Sequence, residues 1–145
     1  MNKLNRVEKA TELHKSGYNC SQSVLCAFAD IFNLDYDISL KIAQPLGSGV
    51  GELRELCGAV SAMALVIGLS EGSADPHNKE AKQQCYNTIK QLSEAFKTDN
   101  GSIVCRQLLG LENNSDNIKI KKKPCVEYVK DCAVLLEKYL IDRIN

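Results

Sequence analysis

The sequence predicts an all-α protein, a single-domain helical bundle of about five to seven helices over residues 1–145. Apolar residues recur every three or four positions along most of the chain, which is the period of an amphipathic helix. No segment shows the apolar–polar alternation of a strand, and neither an internal repeat nor a linker divides the chain. A chain of 145 residues also has the usual length of one domain.

The first two helices are marked by their ends. The first covers residues 4–16 and stops at Gly17, because glycine readily adopts the left-handed conformation that closes a helix. The second opens at Asn19, whose side chain suits an N-cap, and Gln22 completes the reciprocal pattern of a capping box. We expect this second helix to run to about Phe32.

Small residues dominate the next part of the chain. Asp37 or Ser39 is expected to cap a short third helix that ends near Pro45. A glycine-rich loop over residues 47–51 follows, and then a helix over residues 56–68. The glycine spacing is not a dinucleotide fingerprint, because that motif requires a preceding strand.

The longest predicted helix begins at the pair Asp75-Pro76 and runs to about Phe96. Aspartate is a good N-cap, and proline in the first helical position lacks only an N–H that would be unpaired anyway. The helix carries a regular apolar stripe, formed by Ala81, Cys85, Ile89, Leu92 and Phe96.

Two helices complete the bundle. Gly101 separates the long helix from a short one that ends at Gly110. A polar loop over residues 113–123 follows, and Pro124 starts the last helix. That helix has one apolar stripe, formed by Cys125, Val129, Cys132, Leu136 and Leu140.

Charge and composition exclude several classes of protein. The formal net charge is zero, from 18 basic and 18 acidic residues, so no general attraction for nucleic acid or anionic lipid is expected. Residues 1–16 are charged throughout and lack the apolar stretch of a signal peptide, so we expect no membrane insertion and a cytoplasmic location. In the cytosol, a group of cysteines is more often metal-binding or redox-active than a set of structural disulfides.

The seven cysteines fall into two groups. One group lies in the first turns of four different predicted helices: Cys20, Cys57, Cys105 and Cys125. The other lies inside helices and is interpreted as structural: Cys26, Cys85 and Cys132. A helix N-terminus carries unpaired N–H groups and a partial positive charge, which favour a thiolate over a thiol. The first group is therefore the candidate site.

The spacing of the cysteines does not by itself define a site. Helical geometry separates those that share a helix by too much for one small cluster, and the chain has no C-x-x-C motif. Any shared site must come from tertiary assembly. The residues alone leave two alternatives, a shared redox or metal site and a set of independent buried thiols.

Five segments occur in one order over nearly the whole chain: 17–22, 47–52, 57–59, 105–110 and 124–125. Together they resemble the family of small redox-active proteins named for its C_GCAxxG_C_C cysteine pattern, which carries a CGAxxG motif. The resemblance implies a mostly helical domain with a redox or iron–sulfur site at four cysteines: Cys20, Cys57, Cys105 and Cys125. The chain departs from the motif at Ala62, where the family has glycine. We expect this change to be tolerated, because alanine is small and a better helix former.

Several functions fit these cysteines. The preferred hypothesis is an iron–sulfur cluster that serves electron transfer or redox sensing, because four thiolates supply complete ligation. The alternatives are a metal-free thiol–disulfide oxidoreductase, a structural zinc site and a non-catalytic helical adaptor. A redox partner protein is implied but not identified, enzymatic activity is left open, and a homodimer that shares one cluster remains an alternative.

Residues around the cysteines are candidates for a supporting role. N–H groups of the glycine-rich loop are expected to form an anion-friendly concavity beside the site, with a plain turn as the alternative. The supporting residues are Gly49, Gly51, Gly58 and Glu52. Glu52 and Glu55 suit either a proton relay or a solvated surface, and His14 and His77 are expected on the surface.

Overall fold

The computed structural model describes residues 5–112, 120 and 122–144, and it confirms the all-α fold class. The helices are α1 (Arg6–Lys15), α2 (Cys20–Phe28), α3 (Tyr36–Ala43), α4 (Gly58–Glu71), α5 (Lys79–Asn100), α6 (Cys105–Leu108) and α7 (Cys125–Ile144). Short 3-10 turns follow α2 at Ala29–Phe32 and α3 at Gln44–Leu46. Within the described residues there is no strand, only an isolated antiparallel bridge between Leu56 and Val104.

The hydrophobic core surrounds α2, which packs against α1, α3, α4 and α7. Every residue of α2 after Cys20 is buried, and α4 is buried along most of its length. The predicted stripe of α7 faces this core, because Val129, Cys132, Leu136 and Leu140 are fully buried. Complete burial of one such leucine stabilises the fold by about 1.5–3 kcal/mol. None of the helices in these described ranges combines the length and hydrophobicity that crossing a membrane requires.

The predicted capping box at the start of α2 is present. The Asn19 side chain accepts a hydrogen bond from the N–H of Gln22 at 2.9 Å, and the Gln22 side chain accepts from the N–H of Asn19 at 3.1 Å. The two side-chain amides also donate to α3 and the turn behind it, at the carbonyls of Leu40 and Gln44. The cap therefore fixes Cys20 as the first residue of α2 and ties it to the next helix.

Two predicted caps are wrong by a few residues. Asp35, not Asp37 or Ser39, caps α3 by accepting a hydrogen bond from the N–H of Ile38 at 3.0 Å. Asp37 and Ser39 lie inside the helix, and Ser39 donates to the Asp35 carbonyl instead. Asp35 is placed to cap because an N-cap side chain reaches forward to an N–H two or three residues on, here that of Ile38.

The start of α5 is the other correction. Asp75 accepts a hydrogen bond from the N–H of His77, which closes a turn, and Asn78 caps the helix through the N–H of Ala81 at 3.0 Å. The helix also runs past Phe96, and Gly101 closes it with a φ of 92°.

The remaining boundaries shift slightly. α2 ends four residues before the predicted limit and continues as a 3-10 turn, while α4 covers Gly58–Glu71 rather than residues 56–68. Gly17, with a φ of 110°, follows the end of α1 as predicted. Leu4 and most of the loop at 113–123 lie outside the described residues, and the single-domain interpretation of residues 1–145 stays a prediction.

Asn19→Ala should lower the free energy of unfolding by about 2 kcal/mol, because it removes both a helix cap and the hydrogen bond to the Gln44 carbonyl. Asn78→Ala is the matched control, since it removes a cap that has no such second contact. It should lose about 1 kcal/mol. Urea unfolding measures both variants, and equal losses would show that the contact to Gln44 contributes nothing.

Candidate four-cysteine site

Four cysteines occupy equivalent places at the starts of four helices. Cys20, Cys105 and Cys125 are the first residues of α2, α6 and α7, and Cys57 is the N-cap of α4. The structure brings all four to the lining of one cavity of about 270 Å³. The other three cysteines do not line it: Cys26 and Cys132 are buried in the core, and Cys85 is half-buried on α5.

A short antiparallel pairing sets the positions of Cys57 and Cys105. The N–H of Cys57 donates to the Ile103 carbonyl at 2.9 Å, and the N–H of Cys105 donates to the Glu55 carbonyl. Between these bonds lies the bridge of Leu56 and Val104. Because each cysteine donates its own N–H to the segment before the other, their backbones are held side by side just before α4 and α6 begin.

Gly58 allows the start of α4 to approach the start of α2. A Cβ atom at this position would lie 3.1 Å from the Leu46 carbonyl oxygen and 3.4 Å from the Ser21 nitrogen. A side chain here would push the Leu46 carbonyl back by a few tenths of an ångström, so glycine lets these backbones pack at this distance. This close approach brings Cys57 and Cys20 into the same cavity.

The loop between the turn at Gln44–Leu46 and α4 has an unusual backbone. Four residues other than glycine have a positive φ, between 56° and 70°: Ser48, Val50, Glu52 and Arg54. Each costs about 1–2 kcal/mol, because Cβ approaches the following carbonyl in this conformation. The loop is closed by hydrogen bonds from the N–H of Arg54 to Ser48 and from the N–H of Glu55 to Gly49. Such strain persists only where the surrounding contacts determine the conformation.

Gly49 lies where this loop meets α6. A Cβ atom on Gly49 would lie 2.6 Å from the Cα of Arg54 and 2.7 Å from the Cβ of Cys105. Gly51 also has a positive φ, but a Cβ atom there would meet nothing within 4 Å. The absence of a side chain at Gly49 therefore lets the loop pack against the cysteine of α6.

The predicted supporting residues divide into two pairs. Gly49 and Gly58 line the cavity, whereas Gly51 and Glu52 are not among its lining residues. The N–H of Gly51 donates to the carbonyl of Pro45, in the turn before the loop, and to that of Gly47, so it is engaged there rather than at the site. Glu55 is exposed, and its carboxylate pairs with Arg106 at 3.0 Å.

His14, which the sequence interpretation placed on the surface, is half-buried and lines the cavity. The last turn of α1 lies beside the start of α2. The Nδ1 atom of His14 is buried and has no hydrogen-bond partner in the described part of the chain. The helical period could have predicted this position, because His14 is four residues after the fully buried Ala10 and therefore lies on the same face of α1.

Arg54 is the second residue that the sequence interpretation missed. It lines the cavity, and its Nη1 donates to the Sγ of Cys105 at 3.9 Å. The charged group reaches the sulfur only because the loop adopts its left-handed path. No periodic pattern or motif in the sequence indicates such a path.

Cys20 and Cys125 form a hydrogen-bonded pair of sulfurs. The Cys20 thiol donates to Cys125, and this bond, aided by the charge of Arg54 and opposed by burial, lowers the pKa of Cys125 to about 6. The same bond is the main reason that the pKa of Cys20 is raised, with burial as the second cause. At neutral pH the pair therefore holds one proton and one negative charge between its two sulfurs.

At Cys57, burial changes the pKa of the thiol more than the start of the helix does. Desolvation of the buried sulfur raises the pKa of Cys57 to about 11, although the N–H groups of Val60 and Ala59 in the first turn of α4 lower it. The expectation that a helix N-terminus alone would favour the thiolate is therefore wrong at this position. A bound cation would supply the charge that this buried thiolate lacks.

The cavity has room for several atoms, and the described side chains around it do not converge on one point. In the described part of the chain, no three histidine, cysteine or carboxylate side chains are placed to hold a single metal ion. The cavity of about 270 Å³ far exceeds the ~10–15 Å³ that one water needs. It is slightly smaller than ordinary small-ligand pockets, which begin near ~300 Å³. Four cysteines thus surround space for a small multi-atom group, and His14 lines the same cavity.

Fold and site together are those of a cysteine-rich, redox-active class of helical protein. A family model matches residues 18–139, a span that contains all four cysteines of the cavity. The chain belongs to this family, which is described as "Putative redox-active protein (C_GCAxxG_C_C)". No curated protein and no solved structure matches the chain significantly. Ala62, in place of the motif glycine, is fully buried in the core.

Gly49→Ala should destabilise the protein more than Gly51→Ala. Both changes place alanine at a positive φ, which costs about 1 kcal/mol, but only the first forces a Cβ atom against the backbone of Arg54 and the side chain of Cys105. This overpacking should add about 1–3 kcal/mol to the loss. Urea unfolding of the two variants checks the difference. If both variants lose the same free energy, close packing at Gly49 does not hold the loop in place.

Alkylation of Cys125 in the reduced, metal-free protein should rise with pH and reach half of its maximal rate near pH 6. Cys20→Ala should move this midpoint toward the ordinary value of 9.0, because it removes the main hydrogen bond to the thiolate. Peptide mapping after brief iodoacetamide treatment gives the rates. Cys26→Ala, on the same helix but in the core, is the control and should leave the midpoint unchanged.

Proposed function

We propose that the four-cysteine cavity binds an iron–sulfur cluster and that the protein serves electron transfer or redox sensing. One observation carries the proposal: four thiols from four separate helix starts line one cavity that has room for several atoms. Cysteine thiolates are the usual protein ligands of such clusters, and four of them complete the ligation of either common cluster type. A bound cluster would supply a one-electron redox couple.

The spread of the sulfurs favours a cluster over a single ion. A structural zinc ion would require four sulfurs within about 2.3 Å of one point. The described side chains do not converge in this way. A cluster instead presents several iron atoms, each of which needs only one or two sulfurs, so separated cysteines suit it better.

The chain's own residues suit a negatively charged group. Partial positive charges at the starts of α2, α6 and α7 lie beside their first-residue cysteines, and Arg54 adds a full positive charge at Cys105. Burial of Cys57 excludes water from one side of the site. A thiolate in this place gains more from a bound cation than an exposed one would, because the local dielectric constant is low.

The sulfur pair supports a second candidate function, thiol–disulfide exchange. The Cys125 thiolate would attack a disulfide of a partner, form a mixed disulfide and release one partner thiolate. Cys20 would then lose its proton to water and attack the Cys125 sulfur, which releases the second partner thiolate. The products are a disulfide between Cys20 and Cys125 and a partner reduced by two electrons. This chemistry leaves Cys57 and Cys105 without a role.

Iron and acid-labile sulfide analysis tests the cluster directly. Protein purified and reconstituted without oxygen should contain both elements, and replacing any one cavity cysteine by alanine should lower the iron content several-fold, because it removes a ligand. The variants are Cys20→Ala, Cys57→Ala, Cys105→Ala and Cys125→Ala.

The three remaining cysteines provide matched controls. Cys26→Ala, Cys85→Ala and Cys132→Ala should keep the iron content of the unmodified protein once circular dichroism confirms that they are folded. Equal iron in all seven variants, or zinc in place of iron, would contradict the cluster. A colourless protein that forms a reversible disulfide between Cys20 and Cys125 would favour the exchange function.

A further inference from the structure

Among the described residues that line the cavity, Arg54 is the one lysine or arginine. Its Nη1 lies 3.9 Å from the Sγ of Cys105, and its charge also favours the thiolate of Cys125. The guanidinium thus acts on sulfurs from two different helices, α6 and α7. Of the other described lining residues, His14 is the one whose side chain can carry a positive charge, whereas Asn19, Ser48 and Tyr128 cannot.

Arg54 has no carboxylate within ion-pair distance among the described residues. The neighbouring Arg106 is different, because it pairs with Glu55 at 3.0 Å and with Glu112 at 2.6 Å. The positive charge of Arg106 is therefore compensated by acidic side chains. The positive charge of Arg54 lies instead beside the sulfur of Cys105.

The backbone of Arg54 is fixed on both sides. Its N–H donates to the Ser48 carbonyl at 3.2 Å, and its carbonyl accepts from the N–H of Arg106 at 3.1 Å. The φ of 59° at Arg54 is strained for a residue with a side chain. Strained backbone that its neighbours determine is concentrated at functional sites. The loop therefore fixes the base of this side chain at the edge of the cavity.

We propose that Arg54 is a positioning residue that compensates the negative charge of the four-cysteine site and raises the reduction potential of the group bound there. The redox part of this inference rests on the proposed cluster-binding function, whereas the charge compensation does not. When the site takes up one electron from a one-electron donor, with no proton transferred, its negative charge increases by one. The guanidinium stabilises this added charge, and net charge and hydrogen bonds to sulfur are among the factors that set cluster potentials.

The first test is a redox titration of reconstituted protein with reduced viologens as one-electron donors. Arg54→Met should lower the ratio of reduced to oxidised cluster about tenfold at a fixed potential, which corresponds to about 59 mV for one electron. Arg54→Lys should recover most of this loss, because it keeps the charge. Arg143→Met is the matched control, since it removes the same charge near the far end of α7, roughly 27 Å along the helix from Cys125. It should leave the potential unchanged.

The second test needs no cluster. Iodoacetate and iodoacetamide attack the same thiolate, but only iodoacetate is negatively charged, so the ratio of their rates at Cys105 and Cys125 reports a nearby cation. Arg54→Met should lower this ratio about threefold in the reduced, metal-free protein, and Arg54→Lys should preserve it. Arg54→Gln replaces the methionine variant if circular dichroism shows that the latter loses its helices.

The two tests separate the two claims. If no cluster can be reconstituted in the unmodified protein but the alkylation ratio falls in Arg54→Met, charge compensation by Arg54 stands and the cluster-binding function fails. If a cluster forms and its potential is the same in Arg54→Met and Arg143→Met, the cluster-binding function stands and the role of Arg54 is overturned. An unchanged alkylation ratio in Arg54→Met also overturns it.

Discussion

The site depends on one short antiparallel contact between the segment before α4 and the segment before α6. Two backbone hydrogen bonds, from Cys57 to Ile103 and from Cys105 to Glu55, hold these segments together. A third, from Arg106 to the Arg54 carbonyl, extends the contact to the left-handed loop. Three components of the cavity are thereby fixed relative to one another: the cysteine of α4, the cysteine of α6 and the arginine. The packing of α2 against α4 adds Cys20, and the last helix adds Cys125.

Burial and nearby charge have opposite effects on the pKa values of the cavity cysteines, and their balance decides which of them are thiolates. Burial favours neutral thiols and dominates at Cys57, where the first turn of a helix offsets it only in part. A hydrogen bond from a second thiol reverses the outcome at Cys125. The site therefore cannot hold four thiolates by means of helix starts alone, because the partial charge of a helix end is smaller than the desolvation that burial causes. A bound multivalent group, with Arg54 beside it, would provide the missing positive charge. Without such a group, the same balance would leave the Cys125 thiolate beside the Cys20 thiol.

The sequence predicts the helices and the special cysteines well, because both depend on local patterns. The capping box at Asn19, the stripe of α7 and the placement of four cysteines at helix starts are all local features. The predicted caps of α3 and α5 are wrong because several polar residues stand near each start and only tertiary contacts choose among them. Local patterns leave open whether the four cysteines share a cavity, since a one-residue bridge leaves no alternating pattern, and only the family resemblance implied one site. The approach of Arg54 to Cys105 could not be predicted for a related reason, because it requires a left-handed path through residues that ordinarily avoid that conformation.

The central claim is that four separated cysteines hold one group of several metal atoms. Iron-edge X-ray absorption of the protein reconstituted without oxygen tests this claim most directly, because it reports which atoms surround each iron. We expect iron surrounded by sulfur together with scattering from a second iron atom, and the loss of that iron–iron signal when Cys57 or Cys105 is replaced by alanine. A spectrum with sulfur neighbours but no neighbouring iron, or iron bound only through oxygen and nitrogen, would contradict it.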